Sequence, residues 1–177
     1  MEALLGTESP WHSKHYFKLQ RGPYIIASVL EESINDKDLT ISGPVVDLFD
    51  SKLSVHDQFT LSPGKQALLY DVEAGRPSEG QVSVIAASSR IEELHQSDTG
   101  FRFTAKGPAN IQASARLYCP TEPASVQYAI GNQAVPADWV WNRESLTVLL
   151  QYEHGAANQA VIQVDWIPQS VPEPAAD

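Results

Sequence analysis

Residues 110–119 read Asn-Ile-Gln-Ala-Ser-Ala-Arg-Leu-Tyr-Cys (NIQASARLYC). Ile111, Ala113, Ala115, Leu117 and Cys119 alternate with Asn110, Gln112, Ser114, Arg116 and Tyr118. Successive side chains of a strand point to opposite faces, so this period of two predicts a strand with one face in a core and the other in water. A helix would repeat its apolar residues three and four apart, and long windows of that kind are missing from the chain. The two-residue period recurs on both sides of this segment. Phe101, Phe103 and Ala105 oppose Arg102 and Thr104; Leu146, Val148, Leu150 and Tyr152 share a face; Ile162, Val164 and Trp166 oppose Gln163 and Asp165. In an antiparallel sheet with one wet face, these sets form the core.

The first half is more continuously apolar. Residues 24–30 (YIIASVL) and 66–72 (QALLYDV) suit central strands buried on both faces or short buried helices; their length and β-branching favour strands. Further strands are expected at 16–21, 39–42, 45–49, 54–61, 82–88 and 126–130. Turn residues fall between them, as in Ser62-Pro63-Gly64 and Gly107-Pro108, because glycine allows positive φ and proline fixes φ. Gly131-Asn132 predicts a two-residue hairpin. Residues 89–95 (SRIEELH) are the one stretch with a helical look, short enough to be a strand or a single turn. The pattern predicts an all-β chain, a β-sandwich of mostly antiparallel short strands. Residues 15–167 are expected to form a single domain, with a subdomain seam near 73–80 if it divides. Residues 1–14 are an N-terminal arm, and the proline-rich tail 168–177 (PQSVPEPAAD) is too poor in apolar residues to order itself.

The chain has 177 residues, 42% of them hydrophobic, which suffices for a core without a disulfide or metal staple. A single cysteine cannot pair internally. Twelve Lys+Arg against 22 Asp+Glu give a net charge of -10, which argues against nucleic acid as a partner, since phosphate binding needs a basic face. No apolar run approaches the ~18 residues of a membrane span. Ala3-Leu4-Leu5 is too short for a signal-peptide core and no basic residue precedes it, so the chain reads as cytoplasmic unless it is a fragment of a secreted protein.

Candidate chemistry is sparse. No zinc, P-loop, nucleophile-elbow or cofactor-binding motif occurs. Ser62-x-x-Lys65 has the spacing of a serine acyl-transfer pair, but Pro63-Gly64 makes it a turn rather than a helix start. His12 and His15 lack a third metal ligand at a suitable spacing, and His154 before Gly155 reads as a loop residue. Glu31-Glu32, Glu92-Glu93 and the set Asp47, Asp50, Asp57 and Asp71 could supply a glycosidase-type carboxylate pair, against the plainer reading of solvated acids. Asp47 and Asp71 stand out because each lies within an apolar run. Cys119 reads as a buried hydrophobe. Trp139 and Trp141, two apart on a strand, face the same side and are the candidate ligand-binding residues, because indole faces stack on sugar rings. Trp11 and Trp166 complete the tryptophans, and the competing reading is that Trp141 and Trp166 close the core.

The order of features over residues 101–166 is itself informative: Gly107-Pro108-Ala109, Arg116-Leu117, the hairpin 129–133 (AIGNQ), Trp139–Asn142, the run 146–150 and the closing strand 162–166. This resembles the C-terminal β-sandwich accessory modules of bacterial glycoside hydrolases. It departs from their pattern at Gly131-Asn132, where they prefer Asp-Gly, and at Asn142, where they prefer Asp. The resemblance implies a non-catalytic module that packs on a glycoside hydrolase catalytic domain, binds glycan weakly through aromatic side chains, or both. Two other readings remain: a small carbohydrate-active enzyme using a carboxylate pair such as Asp47 and Asp71, or an assembly protein that pairs through its edge strands. The sequence leaves the oligomeric state open.

Overall fold

The computed structural model describes residues 14–31 and 37–166, and the expectations for the arm, the tail, Trp11, His12 and Glu32 lie outside them. The described residues hold fourteen strands and no helix, so none is long and apolar enough to cross a membrane. The strands are β1 (Tyr16–Arg21), β2 (Tyr24–Val29), β3 (Leu39–Asp47), β4 (Val55–Leu61), β5 (Gln66–Asp71), β6 (Ser83–Ala87) and β7 (Arg90–Gln96). There follow β8 (Gly100–Lys106), β9 (Gln112–Tyr118), β10 (Ser125–Ile130), β11 (Gln133–Pro136), β12 (Asp138–Asn142), β13 (Thr147–Glu153) and β14 (Gln159–Asp165). All are paired antiparallel, in three sheets ordered β1-β2-β5-β3-β4, β12-β13-β9-β6 and β11-β10-β14-β8-β7. The chain is thus an all-β sandwich with a further sheet added to it.

The last two sheets form the main sandwich. Ala113, Ala115, Leu117 and Cys119 of the β9 side meet Phe101, Phe103, Ala105, Ile162 and Val164 of the β8–β14 side, all of them buried. Full burial of a side chain such as Phe103 contributes about 1.5–3 kcal/mol. The first sheet encloses its own core, because a register shift between Ser42 and Val45 lets the β3–β4 hairpin fold over β2 and β5. Residues 89–95 are not helical: they enter β7, with a register shift between Glu92 and His95. The hairpin at Gly131 closes β10 on β11 with a φ of 61°, a conformation glycine adopts without cost.

Two expectations about burial are corrected. Period-two alternation puts Arg116 and Tyr118 on a wet face, yet they are 6% and 5% exposed. The reason is non-local: one end of the first sheet lies over that face, where Val46, Leu53, Tyr70 and Val72 pack with Ile85 and Tyr118. Conversely, β2 is central, as expected, but buried on one face only, with Tyr24 and Ile26 47% and 48% exposed. The β12–β9 sheet meets the first sheet around Val46, Leu53, Tyr70 and Val72.

Arg116 joins the layers. Its Nε donates to the Leu53 carbonyl in the β3–β4 turn, and a terminal nitrogen donates to Thr147 Oγ1 at 2.8 Å. Burial pulls its pKa down to about 10, opposed by the nearby Asp50 charge, so it stays protonated at neutral pH. Arg116→Ala would leave the Leu53 carbonyl without this donor. A loss of about 2–4 kcal/mol is expected from urea unfolding, with little recovery in Arg116→Lys, which lacks the guanidinium fork. A loss below ~1 kcal/mol would show that the layers do not depend on it.

Candidate functional site

Trp139 and Trp141 sit on β12, an edge strand, opposite Leu150 and Val148 of β13. Both partners are fully buried, so the side that the two tryptophans share is the core side, and both are half-buried against it. Trp141 spends its indole N–H on the Cys119 carbonyl at 3.2 Å. Trp166 likewise donates to the Asp98 carbonyl at 2.8 Å. On the opposite side of β12, Asp138 and Val140 stand beside Gln151 and Leu149, and with Trp139 at the strand edge they line a shallow groove of about 350 Å³. A second groove of about 360 Å³ separates the β3–β4 turn, with Phe49 68% exposed, from the edge strand β6.

The carboxylates have structural work in turns. Asp47 and Asp71 lie at opposite ends of the β3–β5 ladder, paired with Leu69 and Val45 respectively. Asp47 accepts from the Phe49 N–H at 2.9 Å and Asp71 from the Ala74 N–H at 3.0 Å. Asp50 accepts from the Ser54 hydroxyl and from the Lys52 and Ser54 N–H groups, and these bonds hold its carboxyl below the usual range. Glu92 pairs with Lys106 and Arg90 at 2.6 and 2.9 Å, and Glu93 accepts from Thr104 at 2.7 Å. Ser62 and Lys65 close a turn through their backbones. Among the described residues, no three His, Cys, Asp or Glu are grouped to hold a metal.

One polar cluster escaped the sequence reading. At the end of the main sandwich, Tyr152 donates its O–H to Ser89 Oγ at 2.8 Å, and Ser89 Oγ lies 2.9 Å from His154 Nε2. His154 follows β13 as a loop residue, but it is 1% exposed, and its Nδ1 has no hydrogen-bond partner among the described residues. Such a buried orphan costs about 1–3 kcal/mol. Gly107 makes room for the ring, since a Cβ there would collide with it. Ser89 is 63 and 65 residues away from its two partners, so no local motif could have revealed the cluster.

No family model matches the chain, and no curated protein matches it. Among solved structures, two chains of the GH31 dextranase of Flavobacterium johnsoniae are similar to it, one a mutant complexed with isomaltotriose and one complexed with glucose. Each is 10% identical and covers 81% of this chain and 26% of its own, with TM-scores of 0.36 and 0.37. The chain therefore spans about a quarter of the length of the solved chains it matches.

Cys119 offers a direct check on this geometry. It is fully buried, its thiol donates to the Thr121 carbonyl, and burial pushes its pKa up to about 11. At pH 8 the folded chain should resist iodoacetamide, whereas the urea-unfolded chain alkylates quickly. Because the folded value lies above the ordinary 9.0, folding stability should fall as pH rises from 9.0 to about 11. Rapid labelling of the folded chain would contradict the placement of Cys119.

Proposed function

We propose that the chain is a non-catalytic β-sandwich module that packs against a companion domain. The sequence resemblance implies a glycoside hydrolase catalytic domain as that companion. One observation carries the reading: an apolar face on the β1–β2 hairpin left exposed among the described residues. Leu19 lies opposite Ile26, Arg21 opposite Tyr24 and Phe17 opposite Ser28, so Phe17, Leu19, Tyr24 and Ile26 share the side away from Ile25, Ala27 and Val29. They are 53%, 46%, 47% and 48% exposed. A contiguous apolar strip of this kind marks a contact surface more than four scattered side chains would. It also continues the side of the first sheet that is already covered at Tyr70. The turn roles of Asp47, Asp50 and Asp71 support the non-catalytic part of the reading. Residues 15–167 would then act as one domain, held together by Arg116 across the seam at 73–80.

A second reading, weak glycan binding at Trp139 and Trp141, has in its favour the groove beside β12, where Asp138 and Gln151 offer polar groups to hydroxyls. The placement of Trp141 gives it an anchoring part and leaves Trp139 as the groove's aromatic. A glycan array with Trp139→Ala and Asp138→Ala controls tests it, and no signal above background for the native chain would remove it.

For the packing reading, the partner to use is a glycoside hydrolase domain encoded in the same reading frame or beside it. Native chain should bind that domain, and the triple variant Phe17→Thr, Leu19→Thr, Ile26→Thr should bind at least about tenfold more weakly with its own melting little changed. Equal binding by the variant, or the lack of any such neighbouring domain, would refute the reading.

A further inference from the structure

We propose that Ser89 is an activated hydroxyl that accepts acyl or phosphonyl groups from small uncharged esters, with His154 as its base. The inference goes beyond the packing reading and uses residues other than those of the β1–β2 face. The Tyr152 O–H donates to Ser89 Oγ at 2.8 Å, and Ser89 Oγ lies 2.9 Å from His154 Nε2, so in the Nδ1-protonated tautomer the serine proton is directed at Nε2. Nε2 then accepts and Nδ1 carries the ring proton, an assignment made from the hydrogen-bond network. Burial pushes the Tyr152 phenol up, so it remains a donor at neutral pH.

Access divides the trio. Tyr152 and His154 are 3% and 1% exposed, while Ser89, in the bend between β6 and β7, keeps part of its surface in solvent. A small electrophile can therefore meet Ser89 without reaching the imidazole. The ring is held fixed: the Ile111 carbonyl accepts from its backbone N–H, Tyr152 packs edge-on to it and Gly107 closes against it.

The step balances without a redox partner. Ser89 Oγ attacks the ester carbonyl, its bond to carbon forms and the bond from carbon to the alkoxy oxygen breaks. The serine proton passes to Nε2 and then to the departing alkoxide, which leaves as the alcohol. With a fluorophosphonate, the P–F bond breaks instead and hydrogen fluoride leaves. Among the described residues no carboxylate bonds to Nδ1, so the imidazolium is unassisted and the second half, hydrolysis by water, is slow. The acyl group should accumulate on Ser89.

The test is to treat the folded chain with a small alkyl fluorophosphonate and follow intact mass. One adduct per chain is expected, mapped to Ser89 and formed at least about 100-fold faster than on the urea-unfolded chain, the scale of general-base assistance. Ser89→Ala should abolish it, and His154→Gln should slow it about as much as unfolding does. Tyr152→Phe keeps the ring in the core and provides a second variant. It should slow the adduct while circular dichroism and melting stay close to native. No adduct on the folded chain, an adduct elsewhere, or labelling at the unfolded chain's rate would overturn the proposal. Each of those results leaves the β1–β2 face, and the packing reading, untouched.

Discussion

The structure depends on one strand, β9, being covered on both faces where Arg116 and Tyr118 stand. Alternation along β9 sends Ala113, Ala115 and Leu117 into the main sandwich and Arg116 and Tyr118 into the junction with the first sheet. A strand buried on one side may carry any polar residue on the other. A strand covered on both sides may not, so the charge at position 116 must find partners inside the protein. It finds the Thr147 hydroxyl on β13 of its own sheet and the Leu53 carbonyl in the β3–β4 turn of the first. The guanidinium thereby fixes where the β3–β4 turn sits relative to β9, a positional role that apolar packing at Val46, Tyr70 and Ile85 would not supply alone.

The same coverage explains what is left over. The first sheet has a finished core on one side, built from Ile25, Ala27, Val29, Ile41 and Leu69. Its other side meets the middle sheet at Val46 and Tyr70, with Leu53 and Val72 beside them. The strands run on past that contact and keep apolar residues there, namely Ile26 beside Leu19 and Phe17 one pair further along. Nothing in the strand pairing requires Phe or Ile at those positions, since Thr or Lys would serve the ladder as well. Their presence is what makes a companion surface the more economical account than a freely solvated sheet.

Strands and hairpins were legible because they are written in local alternation. The runs at 16–21, 54–61, 101–105, 111–119 and 126–130 all became strands, and Gly131-Asn132 became a hairpin. Layering was not legible, because which face of β9 or β2 is covered depends on a sheet contributed from elsewhere in the chain. That is why Arg116 read as wet and Ile26 as buried. The tryptophans illustrate the same limit. Spacing put Trp139 and Trp141 on one side, but only the partners Leu150 and Val148 decide that this side is the core. The Ser89 cluster was invisible for a further reason: its three members come from a bend, a strand and a loop with no shared motif.

That cluster is hard to account for by packing alone. The ends of a sandwich must be closed, and Tyr152 would close this one as well by donating to a backbone carbonyl. Instead a histidine is brought almost wholly out of water, with only one ring nitrogen satisfied. An apolar side chain of similar volume would fill the space beside Gly107 and avoid the unpaired Nδ1. Strain of this sort, an unsatisfied polar atom beside a partly exposed hydroxyl, concentrates where structure is held for chemistry rather than for stability. The direction of the hydrogen bonds agrees. Tyr152 donates into Ser89, and with the ring protonated at Nδ1 the serine proton points to His154 Nε2.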